Sequence, residues 1–264
     1  KKCCCTVICG HSRFYWIVSR WADENGFERK RNFMIQISNL SKKYGETVVF
    51  SDLNYTFENA CIYGLVGRNG AGKTTLLNIL SNYDKNYTGV ISIDRKKMNK
   101  VDYLDMPVAY AMDQPSFFNE LTIYENLLLI ASSRKIKKQE AFDKIERILD
   151  GLGLKKYENY SPLELSKGTM QRLNNACAMI QEEKITIFDE PFSGLDPVQM
   201  KLLENVIVEF HKKEKGIYII SSHDIECLQN VCDKCLLLHN GQIREINMEE
   251  VDREEIAKIL SEGE

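Results

Sequence analysis

Gly67-Arg68-Asn69-Gly70-Ala71-Gly72-Lys73-Thr74 decides how this chain is read. A glycine, four residues, then Gly-Lys-Thr is the spacing of a phosphate-binding loop. The flanks agree with it. Cys61-Ile62-Tyr63-Gly64-Leu65-Val66 ahead of the loop reads as a short buried strand, and Thr75-Leu76-Leu77-Asn78-Ile79-Leu80 behind it reads as the opening of a helix. Strand, glycine loop, helix is what the chemistry needs. Glycines let successive backbone N–H groups turn toward one phosphate chain. The helix start adds unpaired N–H groups and the positive end of its dipole. Lys73 would neutralise charge on the outer phosphates, and the Thr74 hydroxyl would ligate Mg²⁺. A glycine-rich turn that merely contains a lysine would not need that strand or that helix.

The 264 residues, 28% charged and 44% hydrophobic, suffice for one α/β domain with a substantial core. A net charge of −3 gives no basic field, so no nucleic-acid partner is expected. The sequence has no run of about 20 apolar residues, and its first residues lack the pattern of a secretory signal. Nine cysteines are expected to stay reduced, as in a cytosolic nucleotide-binding protein. Cys5, Cys9 and His11 could be imagined as zinc ligands, but adjacent cysteines at positions 3–5 suit tetrahedral geometry poorly.

Residues 1–33 read differently from the rest. They show no sustained period, hold both tryptophans, and carry seven basic against three acidic residues. Glu28-Arg29-Lys30-Arg31 could be encoded by purine-only codons, as a ribosome-binding site read in frame would be. Met34 is therefore expected as the native start, with residues 1–33 an upstream artefact or loose extension. A regulatory or anchoring tail is the functional alternative. Residues 34–264 are expected to form the domain.

From Met34 the chain is punctuated regularly. Met34–Ser38 reads as a strand, Ser41–Gly45 as a polar turn, and Val48–Phe50 and Leu53–Phe57 as further strands. Gly89–Ile93 and Val108–Met112 follow as strands. Helix formers then dominate, giving a helical insertion over about 120–182 before the α/β pattern resumes at Ile185-Thr186-Ile187-Phe188. A helix through Leu202–Phe210, a strand Ile217–Ile220, a hairpin through Asn240-Gly241 and a charged C-terminal helix complete the reading.

Three further stretches carry chemistry. Ile185–Phe188 runs into Asp189-Glu190, so Asp189 would hold Mg²⁺ at a strand end and Glu190 would polarise an attacking water. Ile217–Ile220 delivers His223, and Val108–Met112 delivers Gln114, to the carboxyl edge where ligands collect in open parallel sheets. In this order the residues resemble the ATP-binding cassette family, specifically the nucleotide-binding subunit of an ABC transporter, over about residues 34–246. Gly67–Thr74 matches Walker A, Gln114 the Q-loop, Leu165-Ser166-Lys167-Gly168-Thr169-Met170-Gln171-Arg172 the signature, Ile185–Glu190 Walker B, Ser193-Gly194-Leu195-Asp196 the D-loop and His223 the switch histidine. Small GTPases and P-loop kinases lack the signature and switch motifs.

The resemblance implies an α/β P-loop NTPase core, a mostly parallel sheet flanked by helices, with an antiparallel β subdomain and an inserted helical subdomain. It implies ATP and Mg²⁺ as cofactors. ATP would be held by Tyr44, stacked on adenine, by Gly67, Asn69, Gly70, Gly72, Lys73, Thr74 and Thr75, and by Ser166, Gly168 and Asp196. Thr74, Gln114 and Asp189 would hold Mg²⁺. Glu190, His223 and Gln114 would act in hydrolysis. Two copies, or this chain and a related cassette, would pair head to tail around two ATP molecules. A separate transmembrane permease would sit on the helical subdomain near Gln114 and keep the chain at the cytoplasmic face of the membrane. The short chain and the lysine in the signature lean toward export. A soluble cassette ATPase of translation or DNA maintenance is the rival; those usually carry two cassettes or a long coiled-coil insertion. Where the family has Leu-Ser-Gly-Gly-Gln, this chain has Lys167 and Thr169, and Lys167 fits the loop only if its φ is negative or mildly strained.

Overall fold

The structure, a computed structural model, describes residues 33–101, 106–223 and 225–247. The expectations for residues 1–32, including Cys5, Cys9 and His11, and for a C-terminal helix lie outside these residues.

β3 (Cys61–Val66) is buried along its whole length, as its unbroken apolar run requires of a strand covered on both faces. It lies inside a six-stranded sheet ordered β10-β9-β3-β8-β7-β6. Its partners β9 (Lys234–His239) and β8 (Ile217–Ser222) are parallel to it, as are β7 (Ile185–Phe188) to β8 and β6 (Val108–Ala111) to β7. Only β10 (Gln242–Ile246) runs antiparallel, joined to β9 through Asn240-Gly241. Both turn residues have positive φ, 49° and 71°, as a two-residue hairpin of this twist demands.

The second sheet, β2-β1-β4-β5, is antiparallel. Its strands are β1 (Met34–Tyr44), β2 (Thr47–Glu58), β4 (Thr88–Ile93) and β5 (Lys96–Lys97). Ser41–Tyr44 is strand here rather than turn, and the two strands expected after it are one. The reason is Lys42. Its stem is buried while its ammonium reaches Asp84 Oδ2 at 2.7 Å and the Asn86 carbonyl at 2.6 Å, so a polar run pairs in the sheet without a stranded charge. Register shifts between Ile37 and Lys43 also break the alternation.

Gly89 sits where β4 crosses β1. Its φ is +99°, and a Cβ there would lie 2.3 Å from the Asn39 carbonyl oxygen. Gly89→Ala should therefore cost about 2–4 kcal/mol, combining strained φ with a backbone clash. A urea titration should show a lower midpoint at unchanged slope.

The helices split between the two faces of the main sheet. α1 (Lys73–Leu80) packs with the antiparallel sheet in one core cluster. α2 (Ile123–Ser133), α3 (Lys138–Gly151), α4 (Lys167–Met179), α5 (Pro197–Glu214) and the short α6 (Glu226–Gln229) contribute to the other. α2 opens with a capping box, Thr122 accepting from the Glu125 N–H while Glu125 accepts from the Thr122 N–H. Buried Lys144 of α3 bridges Glu182 at 2.8 Å and Glu214 of α5 at 3.1 Å, tying the helical region to the core. No helix among the described residues is long and apolar enough to cross a membrane.

Candidate functional site

Four parallel strands, β3, β8, β7 and β6, end on one sheet edge, and each delivers site residues there. β3 runs into the glycine loop. Gly70 and Gly72 have φ of +80° and +101°, which only glycine adopts without strain, and a Cβ on Gly72 would lie 2.6 Å from Val49 Cγ1. A Cβ on Gly67 would lie 2.8 Å from the Leu238 carbonyl. The loop is thus wedged between β2 and the end of β9. Gly72 caps α1 without a side chain, and the first turn of α1 holds no acidic residue. The Lys73, Thr74 and Thr75 N–H groups keep the positive end of the helix. Asn69 and Gly70 lie exposed at the loop tip.

Lys73 is 7% exposed; its ammonium donates to the Gly67 carbonyl at 2.7 Å and lies 3.6 Å from Glu190 Oε1. Glu190 Oε2 lies 2.9 Å from His223 Nδ1. Lys73, Glu190 and His223, read separately from three stretches of sequence, therefore meet. Asp189 is 1% exposed and accepts from Ser221 Oγ at 2.6 Å; the Tyr110 hydroxyl lies 3.4 Å from its Oδ2. Burial pushes its carboxyl above the usual range, against the hydrogen bonds from Ser221 and Thr74 that pull it down. Among the described residues no Lys, Arg or His pairs with Asp189 at ion-pair distance. A hydroxyl and a buried, cation-free carboxylate in mutual contact are a donor set that fits Mg²⁺. Gln114 lies exposed three residues beyond β6, at the same edge.

Ser166, Gly168 and Asp196 form a second cluster. Ser166 caps α4, its Oγ 2.9 Å from Thr169 Oγ1 and accepting from the Thr169 N–H. Arg172 donates to Thr169 Oγ1 at 3.2 Å and to the Leu152 carbonyl at 2.7 Å. Thr169, in the place of the family's glutamine, is therefore turned inward to close this ring. Lys167 takes the first helical position without positive φ, so the condition set on it is met. Gly168 backs onto the next loop, since a Cβ there would lie 2.9 Å from the Gly194 carbonyl. Asp196 caps α5, accepting from the Gln199 N–H. Ser166, Thr169, Arg172 and Asp196 line a cavity of about 720 Å³ that Lys73, Asp189, Glu190 and His223 do not line. Ser166 and Asp196 therefore face a groove of their own, while Gln171 of the same stretch reaches the Glu190 carbonyl at 3.4 Å.

Tyr44 ends β1 rather than sitting in a turn. It is 52% exposed, with its hydroxyl 3.2 Å from Asp84 Oδ2 and the Lys42 ammonium 4.5 Å from its ring centre. Sequence reasoning missed roles for Ser221, Tyr110 and Gln171. The one available signal was a serine closing an otherwise apolar strand.

A glycine loop on a helix start, facing a strand-end carboxylate across a parallel sheet, defines a P-loop NTPase. The match to the ABC transporter family model covers residues 50–193. The bacitracin transport ATP-binding protein of Enterococcus faecalis is 30% identical over 223 residues, covering 84% of this chain and 71% of that protein. The tungstate uptake system ATP-binding protein of Peptoclostridium acidaminophilum is 30% identical over 211 residues, covering 80% and 97%. A solved ATP-binding subunit of an ABC transporter superposes with a TM-score of 0.75 at 27% identity, covering 87% of this chain and 95% of that one. The chain belongs to the ABC transporter family, as an ATP-binding subunit.

Proposed function

We propose that the chain hydrolyses ATP to power transport, in the export direction, through a separate membrane permease. The observation that carries hydrolysis is the Glu190 carboxylate, held between His223 and Lys73 at the edge where the glycine loop opens. The loop N–H groups and Lys73 bind and orient the phosphates. Glu190 takes a proton from the attacking water, and His223 fixes its carboxylate. Thr74 and Asp189, with Gln114, would hold Mg²⁺, which supplies charge neutralisation on the phosphates.

Ser166 and Asp196 line a groove that Lys73 and Glu190 do not, which supports a site completed by a second copy, head to tail, with α4 of one chain presenting its start to the nucleotide of the other. The helical region near Gln114 is the proposed seat of the permease, which would hold the chain at the cytoplasmic face of the membrane. Export is argued from the signature lysine, Lys167. Phosphate release from Mg²⁺-ATP by the purified chain tests the proposal. Release no faster than that of Lys73→Ala would remove it.

Tyr44 is proposed to stack on adenine, supported by a ring left half in solvent at a strand end. Tyr44→Ala should weaken ATP affinity by about 1–3 kcal/mol, the range found for base–aromatic stacking. Tyr44→Trp should retain it, and fluorescent-nucleotide titration distinguishes the two. Equal affinity of Tyr44→Ala and the parent would take the residue out of the site.

A further inference from the structure

Glu190 sits in an unusual backbone conformation. Its φ is +49°, in the left-handed region that side chains other than glycine disfavour. Three contacts hold it there. The Ser193 N–H donates to the Glu190 carbonyl at 3.1 Å and Gln171 Nε2 approaches the same oxygen at 3.4 Å. The Glu190 N–H donates to Ser221 Oγ at 2.9 Å.

Ser221 does more than accept. β7 and β8 run parallel with Phe188 opposite Ile220, so the next residues, Asp189 and Ser221, stand side by side. The Ser221 hydroxyl, with no solvent exposure, donates its one proton to Asp189 Oδ1 at 2.6 Å while its lone pair takes the Glu190 N–H. One oxygen thereby sets both the rotation of the Asp189 carboxylate and the left-handed turn that aims Glu190 at His223 and Lys73. Alanine would keep the packing nearly unchanged and remove both bonds. It would also leave the Glu190 N–H without that acceptor.

We propose that Ser221 is a positioning residue for hydrolysis, acting through Asp189 and Glu190. The inference rests on the reading of Glu190 as the base. It is tested by steady-state phosphate release from Mg²⁺-ATP, with nucleotide affinity and melting temperature measured in parallel, on full-length Ser221→Ala, Ser221→Thr and Glu190→Gln. Misalignment of about 1 Å at a reacting group costs up to about 100-fold, so Ser221→Ala should lower kcat by about 10- to 100-fold. KM for ATP should stay within about threefold, because Lys73 and the loop N–H groups remain. Ser221→Thr, which keeps the hydroxyl, should recover turnover well above that of Ser221→Ala. The proposal is overturned if Ser221→Ala keeps kcat within about threefold, if affinity falls in step with kcat, or if threonine does no better than alanine. Glu190→Gln separates the two failures. If it turns over like the parent, the base assignment falls and the positioning role falls with it. If it is inactive while Ser221→Ala is not slowed, only the role of Ser221 falls.

Discussion

Glu190→Gln is expected to lower ATP hydrolysis by about 10²- to 10⁴-fold, the usual contribution of a general base, while ATP binding survives. The amide keeps the shape of the carboxylate and can still accept from His223 at the position now 2.9 Å away. What it loses is basicity and negative charge. Binding should persist because the groups that would hold phosphate and Mg²⁺, namely Lys73, the loop N–H groups, Thr74 and Asp189, are unchanged. Removing the carboxylate also removes the anion 3.6 Å from the Lys73 ammonium, which leaves more of that charge for the nucleotide. Phosphate release and fluorescent-nucleotide titration, run on the same preparation, check the two halves. Normal hydrolysis by Glu190→Gln would end the assignment of the base.

Lys73→Ala should show the opposite profile, with weak binding and no turnover. Hydrogen bonds to charged groups contribute about 1.5–3 kcal/mol, so affinity for ATP should fall roughly 10- to 100-fold or more. The fold should survive. Lys73 lies at the start of α1, and its ammonium meets the Gly67 and Arg68 carbonyls and the Glu190 carboxylate rather than a core network. Isothermal titration with ATP, alongside a melting curve, measures both. An alanine variant that binds ATP as the parent does would mean that the ammonium does not reach phosphate.

The sequence and the structure agree where one local pattern carries one local consequence. The apolar run Cys61–Val66 had to be a doubly covered strand, and it lies between two parallel neighbours. Asn240-Gly241 had to turn with positive φ, and it does. Ser166 lies in the stretch expected to be helical, and it caps α4. The candidate site was legible to the same extent: each residue came from a strand end or a loop, and parallel pairing of those strands brings Lys73, Glu190 and His223 within contact.

What stayed hidden depends on partners distant in sequence. Ser41–Tyr44 looked like a turn because nothing nearby announces that Asp84 and the Asn86 carbonyl will receive the Lys42 ammonium. The left-handed φ of Glu190 follows from Ser221 and Gln171, 31 and 19 residues away, and glutamate has no local preference for it. Thr169 could be seen to depart from the family pattern. That it would turn inward toward Arg172 could not, since the guanidinium is fixed in turn by the Leu152 carbonyl.

The proposed ATP site lies between two copies, one supplying Lys73 and Glu190 and the other Ser166, Gly168 and Asp196. Size-exclusion chromatography with light scattering on Glu190→Gln, with and without Mg²⁺-ATP, tests it most directly. Blocked hydrolysis should let the closed pair accumulate, giving a shift from monomer to dimer on adding Mg²⁺-ATP that is absent with Lys73→Ala. A Glu190→Gln protein that binds ATP tightly yet stays monomeric, alone and without a related cassette added, would contradict pairing of the chain with itself. If it stayed monomeric with such a cassette present as well, the assignment of Ser166, Gly168 and Asp196 to the nucleotide would fall.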